Sequence, residues 1–323
     1  HDGLDSLRKL DSRGNEIWIS DDIPSTHTMH KSQHVVSGDR VVVGVQGESQ
    51  YSSNPGANPE SLGGQIRAYD STSGQNRWVH QLDSERRVSA IDASGNRVFV
   101  ATGHRVNPDL SPRLLAFNAS TGDIEWNQTD YPKNDSSPYV SDVLIDGSAL
   151  YASTRNGVVV LNPKTGNVVA HLHNPNDGSL ATDGSSIISA TYPAAFAIGP
   201  DNYEKRWETE IVSGVEAEAI AEDESIYFAT REGHVYSLST DGGAAQWQQR
   251  TLGRPRFLDV SAELLWVVDN QGIVYGFSRP DGRILFESES YSKDGDAEFP
   301  LAVSSSTVFL GGVDRAGYEI RRE

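Results

Sequence analysis

The sequence has no cysteine, and its 323 residues include a single methionine. The missing cysteine excludes disulfide bonds and thiolate-ligated metal sites. No run of about 18 apolar residues occurs, so a membrane-spanning helix is not expected. The chain begins at His1, without methionine or a recognisable signal peptide, which indicates a processed or engineered start.

Lysine is also scarce, because only six of the 27 basic residues are lysine. Against these stand 45 acidic residues, which give a net charge of −18. A nucleic-acid-binding protein normally carries the opposite sign, so the charge argues against that class. An acidic, lysine-poor composition is typical of proteins from salt-loving archaea, in which a large net charge aids solubility. The alternative is an ordinary acidic secreted protein.

The feature that is present along the whole chain is a repeat, seen most clearly in Leu114–Trp126, LLAFNASTGDIEW. A second copy is Ile66–Trp78, and weaker copies are Leu7–Trp18, Val158–Ala170, Val235–Trp247 and Val274–Phe286. In each copy a glycine precedes a bulky or apolar residue by four positions. One further copy, Phe196–Trp207, keeps the tryptophan but has Tyr203 in place of the glycine.

Each copy predicts a hairpin whose turn needs the glycine and whose second strand carries the bulky residue. Glycine adopts the positive φ that closes such a turn without steric cost, as expected at Gly74 and Gly122. Tryptophan buries a large apolar area, so we expect it to wedge between neighbouring sheets. This structural role is predicted for Trp78, Trp126, Trp207 and Trp247.

The repeats predict an all-β fold of four-stranded antiparallel blades, because short alternating strands recur with a period of about 40 residues. Six complete units are expected, and residues 298–323 form a partial one with strands Pro300–Val303, Thr307–Leu310 and Tyr318–Arg321. The partial unit lacks a fourth strand, and residues 1–20 offer one in Asn15–Ser20. Pairing of the two ends would close a seven-bladed β-propeller and remove an open sheet edge. Residues 1–323 are therefore predicted to form a single domain.

The repeat resembles that of the pyrroloquinoline-quinone-like (PQQ-like) propeller family, whose blades read Leu-x-Ala-x-Asp-x-x-Thr-Gly-x-x-x-Trp. The matching residues in the two best copies are Ala68, Asp70, Gly74, Trp78, Ala116, Asn118, Thr121, Gly122 and Trp126. The resemblance implies the fold and leaves the activity open, because the matched residues are structural. Quinone-dependent members are larger, eight-bladed enzymes with a Ca²⁺ site and often a vicinal disulfide. We therefore expect no quinone cofactor and transfer no catalytic residue to this chain. The chain is also similar to the scaffold lipoproteins of outer-membrane barrel assembly.

Four long connections are expected on one face of blades one to three, namely Asp21–Lys31, Gln46–Gly64, Gly103–Pro112 and Thr129–Pro138. In a four-stranded blade, the connections from second to third strand and those between blades share a face. The turns from third to fourth strand lie on the other face, and here they are all short. Long loops on a rigid scaffold commonly carry binding. The alternative is that these loops are tolerated insertions without a role.

Six residues on or beside these loops are candidates for contact with a ligand or protein partner: His30, Tyr51, Arg87, His104, Arg105 and Tyr131. The spacing of His27, His30 and His34 would suit a metal site on a helix, but no helix is expected there, so no metal is predicted. Arginines at loop positions, such as Arg254 and Arg256, could receive a carboxylate or an acidic sugar. Ion pairs with the many acidic residues are the alternative.

Three Asn-x-Ser/Thr sequons begin at Asn118, Asn127 and Asn134. Their clustering suggests a glycosylated surface if the protein is secreted. Asn118 is also a turn residue of the repeat, so the structural role explains it better. Asn127 and Asn134 remain as possible glycosylation sites, and Asn134 is preferred because it lies on a loop.

These features predict a non-catalytic, extracytoplasmic propeller that binds a protein partner through its long-loop face. No nucleophile motif and no close pair of acidic residues indicates catalysis. The alternative is a carbohydrate-binding protein or a quinone-dependent enzyme that uses the channel mouth. A pocket on the long-loop face with converging arginine, histidine and acidic groups would favour chemistry, whereas a broad aromatic patch would favour partner binding.

Overall fold

The computed structural model describes residues 7–10, 16–24, 27–28, 34–47, 63–83, 86–103, 112–129, 140–173, 178–290, 301–303, 307–310 and 318–321. Within these ranges every regular element is a β-strand. Five sheets contain four consecutive strands in antiparallel order, one contains five strands, one contains three and one contains two. The fold is an all-β, seven-bladed β-propeller, as the repeat predicts.

The described residues divide into two compact units, and the first comprises those between Leu7 and His173. Strands β1 (Leu7–Leu10) and β2 (Glu16–Ser20) form a hairpin. Blade one contains β3 (His27–Thr28), β4 (His34–Ser37), β5 (Arg40–Gly47), β6 (Gln65–Asp70) and β7 (Asn76–Gln81). Blade two contains β8 (Arg87–Ser94), β9 (Arg97–Gly103), β10 (Arg113–Asn118) and β11 (Ile124–Gln128). Blade three contains β12 (Val140–Asp146), β13 (Ala149–Thr154), β14 (Gly157–Leu161) and β15 (Val168–His173).

The second unit comprises the described residues between Gly178 and Arg321. Blade four contains β16 (Ser179–Thr182), β17 (Ile187–Ala190), β18 (Ala194–Ile198) and β19 (Lys205–Glu210). Blade five contains β20 (Val215–Glu222), β21 (Ser225–Thr230), β22 (His234–Ser239) and β23 (Ala245–Arg250). Blade six contains β24 (Pro255–Val260), β25 (Leu264–Asp269), β26 (Val274–Ser278) and β27 (Ile284–Glu287). Blade seven contains β28 (Leu301–Val303), β29 (Thr307–Leu310) and β30 (Tyr318–Arg321).

The middle strands of blades one to six form the core, because most of their described side chains are buried. Every residue of β13, β21 and β25 is buried, and these strands are rich in the β-branched and aromatic residues that suit a pleated surface. The fourth strands β19 and β23 alternate exposed and more buried positions, as expected for an outer strand with one solvated face. The hydrophobic clusters are each shared between neighbouring blades of one unit, so blades stabilise each other laterally.

Each described repeat tryptophan packs against the turn glycine of the following blade. Trp126 on β11 donates a hydrogen bond from Nε1 to the Pro163 carbonyl at 3.0 Å. Gly166 has a φ of +74°, and a Cβ built on it would lie 2.7 Å from Trp126 Cε3. Only glycine fits this contact, because any side chain would overlap the indole. The same pairing joins Trp18 to Gly74, Trp78 to Gly122, Trp207 to Gly243, and Trp247 to Gly282. Each of these indoles therefore packs against the third-to-fourth-strand turn of the next blade.

Tyr203, which replaces the repeat glycine in blade four, keeps the left-handed backbone with a φ of +57°. The turn geometry is thus retained without glycine, at the steric cost that a non-glycine residue has there. Ala170 holds the position of the tryptophan in blade three.

The N-terminal strand β2 has the role of a fourth strand toward blade one. Trp18 on β2 contacts Gly74, and its Nε1 donates to the Ser71 carbonyl at 3.2 Å. This is the contact that every described fourth-strand tryptophan makes with the next blade. It supports the assignment of Asn15–Ser20 as a closing strand. The pairing of this strand with Tyr318–Arg321 would join the two units and stays a prediction, as does the single-domain assignment.

Candidate functional site

Most of the residues that the sequence suggested for binding lie outside the described residues. These are His30, Tyr51, His104, Arg105 and Tyr131, together with the possible glycosylation site Asn134. The greater part of the four long loops lies outside as well. Their assignment to a binding face therefore stays a prediction. Arg87 and Asn127 are described and can be placed.

Arg87 begins β8, where its backbone pairs with Gly103. Its side chain is half-buried, and it forms no ion pair within the part of the chain that the structure describes. Its neighbour Arg86 is buried, with Nε 3.5 Å from the Asp83 carboxylate. Burial lowers the pKa of Arg86. Asn127 lies on the outer strand β11 with an exposed side chain, so it is accessible for modification.

The described start of the loop Asp21–Lys31 is fixed to blade one through Asp22. Its carboxylate accepts hydrogen bonds from Arg67 Nη2 at 2.6 Å and from the Tyr69 hydroxyl at 3.0 Å. Burial alone would raise the pKa of Asp22, but hydrogen bonds from Ser20, Arg67 and Tyr69 outweigh it and lower the pKa. The loop therefore leaves the blade from a rigid, charge-assisted anchor.

The second unit has a continuous strip of connections at one end of its strands, which we call the loop edge. It consists of residues 191–193, 211–214, 231–233, 251–254 and 270–272. Four backbone hydrogen bonds of 2.8 or 2.9 Å join these segments in order, from Ile211 to Pro193, Arg231 to Gly214, Thr251 to Gly233, and Asn270 to Arg254. These segments are second-to-third-strand and between-blade connections, the two types that form one face of a blade. The loop edge is thus a hydrogen-bonded surface across blades four to six.

Three large apolar side chains stand out from the loop edge into solvent. Tyr192, Val212 and Leu252 are 51%, 56% and 75% exposed. Apart from Ile284 and Leu285 on the outer strand β27, they are the exposed large hydrophobics among the described residues of this unit. Exposed apolar residues on one rigid surface are typical of a place where another molecule packs.

A tyrosine on the third strand of blade six holds the backbone of Leu252 in place. The Leu252 N–H donates to the Tyr275 hydroxyl at 3.1 Å. The Tyr275 hydroxyl in turn donates to the buried Asp269 carboxylate at 3.1 Å. Burial is the main cause that raises the pKa of Tyr275, so this hydroxyl stays protonated. The exposed Leu252 therefore has a fixed backbone below it.

Asp269 ends β25 and organises the connections around Leu252. Its Oδ2 accepts from the Gly253 N–H at 2.9 Å, and its Oδ1 accepts from the N–H groups of Gln271 and Ile273 at 2.9 and 3.0 Å. A buried carboxylate is stable only when hydrogen bonds replace its hydration. The Asp269 side chain thereby fixes the connection between β23 and β24, which leads into blade six, and also the connection between β25 and β26 within blade six.

Beside the apolar residues lies a cluster of three arginines around Glu216. The Glu216 carboxylate is 2.5 Å from Arg254 Nη2, 3.1 Å from Arg256 Nη1 and 3.3 Å from Arg231 Nε. Glu216 and Arg256 occupy equivalent bulges in the first strands of blades five and six. A bulge turns a side chain out of the regular alternation, which explains how these two come together. We call these four residues the arginine cluster.

Of the two predictions for Arg254 and Arg256, the structure shows the ion pairs with an acidic residue, and binding of a carboxylate or an acidic sugar stays a prediction. The arginines do form ion pairs with an acidic residue, yet three guanidinium groups share one carboxylate. Glu216 and Arg231 were not among the predicted site residues, because they lie 38 and 23 residues before Arg254. A repeat alignment places Glu216 opposite Arg256, and this is the signal that could have revealed the pair.

No group of histidine, aspartate and glutamate residues suited to a metal ion occurs among the described residues. The described part of the chain also has no helix long and apolar enough to cross a membrane. These findings concern the described ranges and leave His30 and His104 untested.

The comparisons with known proteins agree with the propeller fold. The profile of a PQQ-repeat family, described as outer membrane protein assembly factor BamB, matches residues 4–249 and 171–316. The crystal structure of BamB from Moraxella catarrhalis superposes with a TM-score of 0.62 at 16% identity, over 87% of this chain and 79% of that chain. The computationally designed protein Ika8 gives a TM-score of 0.63 at 13% identity, over 90% and 95%. A comparison with curated protein sequences finds no match. At such low identity the two structures show the fold alone.

Proposed function

The chain belongs to the PQQ-repeat family described as outer membrane protein assembly factor BamB, and on this basis we propose that it is a non-catalytic, extracytoplasmic scaffold for another protein. The family description names an assembly factor of the outer membrane, which supports both the scaffold role and a place outside the cytoplasm. Neither a quinone nor a metal ion takes part in the proposed role. A halophilic archaeal source stays a prediction from the acidic composition.

The observation that carries the proposal is the loop edge with its three exposed apolar residues. Tyr192, Val212 and Leu252 stand on connections that backbone hydrogen bonds join into one strip. Protein interfaces gain most of their affinity from a few apolar or aromatic side chains on a rigid surface. Because the strip is already ordered, binding a partner costs little conformational entropy there. As predicted from the sequence, we also propose that the long loops of blades one to three bind a partner.

Site-specific photo-crosslinking in cells that make the protein tests the proposal. A benzophenone amino acid replaces Leu252 in one variant and Leu285 in a matched control, since both side chains are exposed and apolar. We expect a protein adduct from position 252 and a much weaker one from position 285, which lies on the outer strand β27. Adducts from position 285 alone would move the binding surface elsewhere. Absence of any protein adduct from the loop edge would overturn the scaffold proposal.

Binding of free pyrroloquinoline quinone provides a direct check against the enzymatic alternative. The proposed scaffold leaves the fluorescence and absorbance of the quinone unchanged on mixing. A saturable change, with or without added Ca²⁺, would favour a quinone-dependent enzyme over the scaffold.

A further inference from the structure

The arginine cluster carries more positive charge than its internal carboxylate balances. Glu216 is buried, with 6% of its side chain exposed, whereas 37% of Arg254 and 62% of Arg231 are exposed. Three guanidinium groups around one carboxylate leave an excess of positive charge at the surface. The whole chain has a net charge of −18, so this excess has the opposite sign to its surroundings. A negatively charged partner is repelled by most of the molecular surface and attracted to the arginine cluster.

Arg256 has donors to spare in a geometry that suits a carboxylate. Its Nη1 donates to Glu216 Oε1 at 3.1 Å. Its Nε is buried, and no described residue accepts a hydrogen bond from it. Nε and Nη2 form the side of the guanidinium that binds both oxygens of a carboxylate at once. The Nε of Arg254 is likewise buried without an acceptor among the described residues. Buried donors of this kind are costly unless a ligand accepts from them.

The arginine cluster adjoins the exposed Leu252, which lies two residues before Arg254. The positively charged side chain of Arg254 and the apolar side chain of Leu252 thus lie on the same connection, which leads into blade six. This combination fits a peptide in which an acidic residue is flanked by apolar residues. A small acidic metabolite would use the guanidinium groups and leave Leu252 without a role.

We propose that the arginine cluster binds the side-chain carboxylate of an acidic residue in the partner protein, while Leu252 contacts an apolar residue beside it. This inference rests on the proposed scaffold function and specifies the chemistry of the segment that the scaffold recognises. Glu216 positions the guanidinium groups by holding one donor of each. Arg256 and Arg254 supply the donors that contact the partner, and Arg231 adds long-range attraction.

Binding of two capped peptides to the full-length chain tests the inference. The probe is acetyl-Leu-Glu-Leu-Glu-Leu-amide, and its matched control has glutamine in place of both glutamates. At low salt we expect the glutamate peptide to bind at least about tenfold more tightly, the factor typical of one charge-assisted hydrogen bond. Arg256→Gln and Arg254→Gln should remove this preference. Arg283→Gln, which alters an exposed arginine at the other end of the strands, should leave it intact.

A second measurement avoids any loss of folding in the variants. The Nε–H signals of Arg254 and Arg256 in the isotope-labelled wild-type chain should shift when the glutamate peptide is added and remain in place with the glutamine peptide. Equal affinity for the two peptides, or arginine signals that do not respond, overturns the inference. If a partner still crosslinks at position 252 in that case, the scaffold proposal survives and only the carboxylate chemistry is wrong.

Discussion

Trp207 contacts Gly243 so closely that a Cβ on the glycine would lie 2.4 Å from Trp207 Cε3. The indole Nε1 also donates to the Thr240 carbonyl at 2.7 Å. The fourth strand of blade four is thereby joined to the third-to-fourth turn of blade five. Because the contact recurs between successive blades, its strength can be tested at several positions.

The first prediction concerns this glycine. Gly243→Ala should destabilise the protein by about 2–4 kcal/mol, since the new methyl group overlaps the indole and the φ of +69° disfavours alanine. Gly242→Ala is the matched control, because a Cβ there has no atom within 4 Å. Chemical denaturation of both variants measures the difference. Equal midpoints for the two would show that the close contact does not exist in solution.

The second prediction separates the apolar and polar parts of the tryptophan contact. Trp247 is buried, stacks on Phe277 and donates to the Arg279 carbonyl at 2.7 Å. Trp247→Ala should cost about 3–5 kcal/mol, the usual range for an emptied aromatic site. Trp247→Phe retains part of the packing and should cost less. Trp126→Ala should fall near the lower end of that range, at about 3 kcal/mol, because Trp126 is only half-buried. A denaturation midpoint of Trp126→Ala equal to that of the wild type would contradict the wedge.

The third prediction concerns the tyrosine beneath Leu252. Tyr275→Phe removes the acceptor of the Leu252 N–H, so the amide of Leu252 should exchange with solvent about tenfold faster, as expected for a loss of about 1.4 kcal/mol. Tyr236→Phe, which alters a tyrosine on the third strand of blade five, is the control and should leave the Leu252 amide unchanged. Hydrogen exchange followed by NMR measures the Leu252 amide in both variants. Unchanged exchange at Leu252 in Tyr275→Phe would mean that the hydroxyl does not hold the connection.

The fourth prediction concerns alkaline pH. Burial raises the pKa of Tyr69 from 10.0 to about 12, although the Arg67 guanidinium acts in the opposite direction. The unfolded chain loses this proton first, so stability is complete below about pH 10 and falls as the pH rises toward 12. Tyr69→Phe should flatten this part of the stability profile. Identical slopes between pH 10 and 12 for variant and wild type would rule out Tyr69 as a source of the effect.

The fifth prediction concerns the N-terminal hairpin. Deleting residues 1–20 removes β1, β2 and the contact of Trp18 with Gly74, so the thermal midpoint should fall. Trp18→Ala should reproduce part of the loss while leaving the strand in place. A deletion variant that melts like the wild type would rule out closure of the last blade by this segment.

The sequence was sufficient for the blades because their signals are local. Turn glycines such as Gly122 and the tryptophan four residues later lie within one hairpin, and the period of the strands follows from neighbouring residues. Even the departure at Tyr203 was visible, and its backbone keeps the turn conformation. The strands and turns can therefore be predicted without knowing which blades are in contact.

The arginine cluster could not be predicted in the same way, because its parts come from different blades. Glu216 and Arg256 are 40 residues apart and meet only because bulges at equivalent places turn both side chains out of the sheet. No local pattern marks such a bulge. The tyrosine beneath Leu252 is hidden for the same reason, since Tyr275 lies 23 residues further on. The sequence therefore indicated Arg254 and Arg256 but did not indicate Glu216, the residue that brings them together.

The tryptophan contacts all run forward along the chain, and this has a consequence for synthesis on the ribosome. Each indole leaves the ribosome before the turn that covers it, by 32 residues for Trp247 and by 53 for Trp18. During translation a newly made blade therefore presents an uncovered tryptophan until most of the next blade has emerged. Domains generally begin to fold as they emerge. The most recently made blade is therefore expected to expose apolar surface, and to be prone to aggregation, for as long as translation continues. Arrested nascent chains that end just before or just after Gly282 should differ sharply in the solvent accessibility of Trp247.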